Sequence, residues 1–233
     1  MKFFDNLIDE VQAVLEPLSV RTYIPESEKP WQDAGYNQVI LQRDSAYELD
    51  GVGFNLVTSS QVEDEIIIIG DDLNKIKGDR SFARICVIQM EDIEDEQRAY
   101  DLIKKTEYTK YKCFPDGYMM RSSSKSHKEA VRVSEKALKK GMSFVNVGKL
   151  LLNKYKESPA VKGVRLIFVT DISADYKALE SIAQKNIIII EALNHVMNDL
   201  NFDCNTCNLK AICDEVEGMR EMHFTHSKNK GMS

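Results

Sequence analysis

No apolar stretch in this chain approaches the roughly 18–20 residues that a membrane-spanning helix needs. Runs such as Ile66–Ile69 and Ile187–Ile190 have the length of short buried elements instead. The chain must therefore bury its apolar residues in a packed core, and 233 residues suffice for one large domain or two small ones. Residues 1–18 interleave charges with apolar side chains and lack a basic stretch followed by an apolar one, so no signal peptide is expected. The default expectation is a cytoplasmic protein.

Apolar periodicity and turn residues order the elements. Phe4, Leu7, Ile8, Val11, Val14 and Leu15 recur at helical spacing, and Pro17 ends that helix. The irregular segment up to about residue 35 contains Pro25, Pro30 and the only tryptophan, Trp31. Strands are predicted at 39–41, 52–57, 65–69, 82–90 and 164–169, the fourth interrupted by Arg84. The spacing predicts an exposed helix over 91–106, a loop over 108–118, a long helix over 122–140 ended by Gly141, and a helix over 147–155. Ser173 is the expected cap of a helix through about Gln184, and 187–200 reads as a second helix or as a strand followed by one. Strands early and helices late imply an α+β fold, with a mixed or antiparallel sheet from the N-terminal half packed by helices from the C-terminal half.

Charge is unevenly spread. Residues 1–100 have a balance of −12 and residues 101–233 one of +6. An anionic ligand would dock on the second half, whereas the acidic protein as a whole argues against a general nucleic-acid binder. Arg121, Lys125, Lys128, Arg132, Lys136 and Lys139 are spaced by three or four residues, and on the predicted helix they form one basic stripe. The phosphates of a nucleotide-like cofactor would neutralise such a row, and a plainly solvated face explains it equally well.

Of five cysteines, three lie within ten residues: Cys204, Cys207 and Cys213, followed by His223 and His226 in the spacing C-x2-C-x5-C-x9-H-x2-H. An odd count argues against a disulfide framework. A C-x2-C pair can place two thiolates on one metal or cluster. Zinc would be satisfied by the three cysteines with a histidine such as His223. A [4Fe–4S] cluster would need a fourth ligand from Cys86, Cys113, a histidine or outside the chain. Other patterns are weak: Gly51-Val-Gly53 precedes no helix, and helix capping accounts for Asp71-Asp72.

Several segments taken together are collinear with a known family. Ala46–Gly51, Asp64–Leu73, Arg132–Gly141 running into Phe144–Leu151, and Val164–Asp171 resemble, in order and approximate spacing, the β subunit of the carbon monoxide dehydrogenase/acetyl-CoA synthase complex. The similarity spans about residues 36–185. It implies that 36–200 form a module like that subunit's α+β middle domain, which helps to bind coenzyme A through arginines. Arg132 is the direct positional match and Arg121 a looser one. Residues 1–35 would precede this domain, 201–226 would form a cysteine-rich cluster segment, and 227–233 a disordered tail. In the family a [4Fe–4S] cubane is bridged to a dinickel site that joins CO, a corrinoid-borne methyl group and CoA. Cys204 and Cys207 match the first cubane cysteines, and Cys213 matches the third at shorter spacing. The Cys-Gly-Cys that holds the distal nickel is absent, as is the family's tryptophan near Arg121. Whether the chain is an enzyme thus stays open. The resemblance implies an accessory iron–sulfur, CoA-binding module partnered with CO dehydrogenase or corrinoid subunits; the alternative is a zinc-stabilised interaction module.

Overall fold

The computed structural model describes residues 2–35, 40–93, 95–123 and 125–197. Seven strands form one mixed sheet in the order β1-β3-β7-β4-β2-β6-β5. They are β1 (Val20–Tyr23), β2 (Ser45–Thr58), β3 (Glu65–Ile69), β4 (Arg80–Met90), β5 (Tyr118–Ser122), β6 (Lys128–Ser134) and β7 (Val161–Val169). The β2–β4 and β3–β7 pairs are parallel and the other pairs antiparallel. The helices are α1 (Asp5–Leu15), α2 (Glu96–Glu107), α3 (Glu135–Lys139), α4 (Phe144–Lys156) and α5 (Tyr176–Met197). The fold is α+β, as expected, with three of its strands drawn from beyond residue 117.

Alternation along the strands assigns the helices to opposite faces. On one face, Phe144 of α4 stacks on Phe168 and Phe82, with ring centroids 4.5 and 5.9 Å away. Gly148 lets the α4 backbone lie close over Ile66 and Phe168, where any Cβ would be tightly packed. Ile67, Ile69 and Ile167 point the other way, towards Val11 and Leu15 of α1. Lys185 of α5 pairs with Glu10 of α1 at 2.8 Å. Asp72 caps α4 from a distance: its Oδ1 accepts from Phe144 N at 2.7 Å and from Leu73 N at 2.6 Å. Asp71 pairs with Arg80 at 2.7 Å. Asp72 thus caps a helix, although one distant in sequence, whereas Asp71 serves an ion pair and not a cap.

Several elements differ from the sequence reading. The predicted helix over 122–140 is a hairpin, β5–β6, followed by the short α3. Glu129, Val131 and Val133 are buried at period two, and this alternation prevails over the helical spacing of the basic residues. Ile187–Ile190 belongs to a single α5, because Leu179, Ile182, Ala183, Ile187 and Leu193 keep one buried stripe at helical spacing. Asp175, not Ser173, caps it, accepting from Ala178 N at 3.0 Å. The α2 helix is not fully exposed, since Ala99, Tyr100 and Ile103 are buried. Within 108–118 a one-turn helix, Thr109–Lys112, buries Lys110. Ile40 and Leu41 form no strand, and Val39 lies outside the described residues. β2 is far longer than 52–57 and runs straight through Gly51.

Candidate functional site

The β5–β6 hairpin organises the candidate site. Arg121 lies opposite Ala130, with Lys128 and Arg132 two positions to either side on β6. The ladder therefore sets Arg121, Lys128 and Arg132 on one face of the hairpin. Arg121 and Lys128 are exposed there, and Lys125 is exposed in the connecting turn. Arg132 is half-buried and bonds Glu48 of β2 at 2.8 Å. Lys136 and Lys139 do not join this face; both belong to α3, where Lys139 pairs with Glu135 at 2.7 Å. Four of the six basic residues thus gather on a strand hairpin rather than along a helix.

The reverse face of the hairpin is a buried polar cluster that the sequence reading missed. Glu129 and Arg84 of β4 are both fully buried and meet in a fork, Nε to Oε1 and Nη2 to Oε2, each at 2.8 Å. Burial pushes the Glu129 carboxyl up, but the Arg84 guanidinium outweighs it and holds the group below its ordinary range. Burial opposes the Arg84 charge, and Glu129 restores it well above the ordinary value. Gly53 makes room for this pair, since a Cβ there would overlap the Glu129 carboxylate. Ser122 Oγ donates to Glu129 Oε2 at 3.3 Å. Asn55 Oδ1 accepts from Arg84 Nη1 at 3.4 Å and from Tyr155 of α4 at 3.0 Å. Lys110 Nζ donates to the Gly53 carbonyl at 3.1 Å. Arg84 breaking an apolar run, and Glu129 in step with Val131 and Val133, were the available signals.

His127 ends the turn in the left-handed region, at φ 49. Asn186 of α5 donates through Nδ2 to the Asn55 carbonyl at 3.0 Å, so its Oδ1 must accept from His127 Nε2–H, 2.6 Å away. The Nδ1 lone pair of His127 is left buried without a partner among the described residues. Burial, then Lys110, lowers the imidazole to about 4. The turn that presents Lys125 and Lys128 is thereby tied to β2 and α5.

Cys204, Cys207, Cys213 and His223 lie outside the described residues, as does His226. The two cysteines suggested as a fourth ligand, Cys86 and Cys113, are buried, and burial pushes both thiols up to about 12. That favours the protonated form rather than the thiolate that a metal needs. Among the described residues, no three metal-ligating side chains gather, and no helix is long and apolar enough to cross a membrane.

A comparison with curated proteins found no match. The profile of one protein family matches residues 37–174, which is more than half of the chain and includes every strand from β2 to β7. By that match, the chain belongs to the CO dehydrogenase/acetyl-CoA synthase complex beta subunit family.

Proposed function

We propose that this chain is an accessory module of a CO dehydrogenase/acetyl-CoA synthase-type assembly, holding the phosphates of coenzyme A on the outer face of the β5–β6 hairpin. The observation that supports it is the gathering of Arg121, Lys128 and Arg132 on one face, with Lys125 beside them in the turn. Like charges so placed repel each other, and a polyphosphate would relieve this while forming charge-assisted hydrogen bonds. The donor set fits the ligand: cationic and open to solvent, above a rigid buried pair. The same reading gives Cys204, Cys207 and Cys213 a [4Fe–4S] cluster, with His223 as a candidate fourth ligand, and places the protein in the cytoplasm beside CO dehydrogenase and corrinoid subunits. Such a cluster would supply electron transfer or an open iron site. The cysteines would hold it, and the hairpin would orient the anion.

Calorimetry of CoA on the anaerobically purified chain tests the anion site. Wild type should bind saturably, and Arg121→Glu with Lys128→Glu should weaken binding at least tenfold while the circular dichroism spectrum is retained. Unchanged affinity would remove CoA from the hairpin. Metal and sulfide analysis of the same preparation tests the cysteine segment. Iron with acid-labile sulfide supports the cluster, whereas about one zinc per chain would make the segment a structural clip.

A further inference from the structure

The α1 face of the sheet is not closed at its β1 edge. Val20 lies opposite Ile69 and Thr22 opposite Ile67, so the outermost strand extends the apolar strip of β3 and β7 on that face. The α1 helix stops short of it: Val20 is 50 % exposed, and Ile67 is only half-buried. Between helix and edge strand runs a groove of about 540 Å³, floored by Val20, Ile67, Ile69 and Ile167. Its other wall is Asp9, Gln12, Ala13 and Glu16, which helical spacing puts on one side of α1. All four are exposed. Asp9 and Glu16 stand two turns apart, about 10 Å along the axis. Neither forms an ion pair among the described residues, whereas Glu10, on the side towards α5, is taken by Lys185. Ala13 between them keeps the middle of that wall low. Arg165, the cation beside the groove, is bound to Glu65. The groove is thus apolar along its floor and acidic along one rim. The surrounding chain has the same sign, since residues 1–36 hold seven carboxylates against three Lys and Arg.

We infer that this groove docks an amphipathic helix of a basic partner protein, whose aliphatic stripe fills the floor and whose lysines or arginines, two turns apart, meet Asp9 and Glu16. An exposed apolar strip with a polar rim is the usual form of such a surface, and a helix laid in a groove anchors through residues at this spacing. The charges choose the partner. Opposite charge on the incoming helix speeds encounter and fixes its register, whereas a second copy of this chain would bring the same acidic rim against this one. A strand added to β1 is disfavoured, because β1 is four residues long and flanked by Pro17 and Pro25. Both α1 and β1 precede residues 37–174, which match the family, so the groove lies where the matched module meets the residues ahead of it. Docking there depends neither on CoA at the hairpin nor on a cluster at the cysteines.

Fluorescence anisotropy on the full chain tests this with two labelled helical peptides of about four turns each. Both carry the same leucine stripe; one flanks it with lysines and the other with glutamates. The lysine peptide should bind saturably and at least tenfold more tightly than the glutamate peptide. Asp9→Lys with Glu16→Lys, both at exposed positions, should invert that preference, and Val20→Glu should weaken the lysine peptide at least tenfold. Asp101→Lys with Glu135→Lys makes the same change of charge at exposed positions on α2 and α3, and should alter the affinity less than twofold. An equal loss in that control pair would assign binding to net charge and overturn the inference. Equal affinity for the two peptides, or no saturable binding by either, overturns it on wild type alone, even where a variant fails to fold. A dimer of the chain alone, seen in sedimentation and dissolved by Val20→Glu, would give the groove to a second copy and overturn it as well.

Discussion

Alternate residues of one strand, β6, face two different environments. Lys128 and Arg132 look outward, the first exposed and the second half-paired to Glu48. On the inward side Glu129 is sealed against Arg84, and Val131 and Val133 are fully buried. The outward charges are screened by water and salt, so they cost the fold little and remain free to meet a ligand. The inward pair has lost its hydration and is held by geometry alone. A single charge can therefore be removed at little cost on one side of the strand, but not on the other unless its partner goes with it.

The largest expected effect follows from the inward side. Arg84→Met or Glu129→Met leaves an uncompensated buried partner and should lower unfolding stability by about 3–5 kcal/mol. Replacing both, as Arg84→Met with Glu129→Met, should recover much of that loss, because no charge then remains to desolvate. Urea unfolding of the four proteins measures it. A double variant as unstable as the sum of the singles would break the comparison, since the pair would then contribute through packing and not through charge.

His127 sharpens the comparison because it stands where the two sides meet, on the turn of the hairpin. Its ring is buried, and its imidazole is lowered from 6.5 to about 4. Between those values the unfolded chain holds a proton that the folded chain does not. Stability from this group is therefore fully present above pH 6.5 and declines as the pH falls towards 4, by up to about 3 kcal/mol. His127→Gln should flatten the stability profile over that window. Glu129, depressed rather than raised, loses its contribution only in more acid solution, below the ordinary carboxylate range. A His127→Gln profile as steep as wild type between pH 4 and 6.5 would assign the slope to carboxylates instead.

The sequence revealed the central strands because they are apolar almost throughout. Glu65–Ile69, Phe82–Met90 and Val164–Val169 could only be buried runs, and the sheet is built on them. It concealed the hairpin because the basic residues at 121, 125, 128, 132, 136 and 139 happen to follow a helical spacing, whereas only three inward residues carry the strand alternation. Charges on a solvated face do not select a period, and burial does. The buried cluster was half-legible. Arg84 was visible as a charge within an apolar run, but its partner is 45 residues away on a strand that local spacing disguised. Lys110 was illegible, because its burial depends on a one-turn helix placed by tertiary packing. Of the basic residues that share a helical spacing, Arg121, Lys128 and Arg132 share one face of a hairpin instead, while Lys136 and Lys139 belong to α3.

The smallest expected effect belongs to the outward side. Arg132 and Glu48 meet at 2.8 Å, with side chains 31 % and 40 % exposed. A pair so placed holds two flexible side chains in water for a modest Coulomb gain, and a double-mutant cycle with Arg132→Gln and Glu48→Gln should return about 0.5 kcal/mol. Raising the salt concentration should shrink that value. A coupling above about 2 kcal/mol, insensitive to salt, would place Arg132 among the inward charges and end the distinction between the two sides of β6. Glu48→Gln carries a further consequence. It leaves Arg132 without its carboxylate on the face that also holds Arg121 and Lys128. If that face binds CoA phosphates, the freed guanidinium should tighten CoA by about two- to threefold, the equivalent of the half kilocalorie that Glu48 no longer competes for. Stability should move little while affinity rises, a combination expected only where charge serves a ligand rather than the fold.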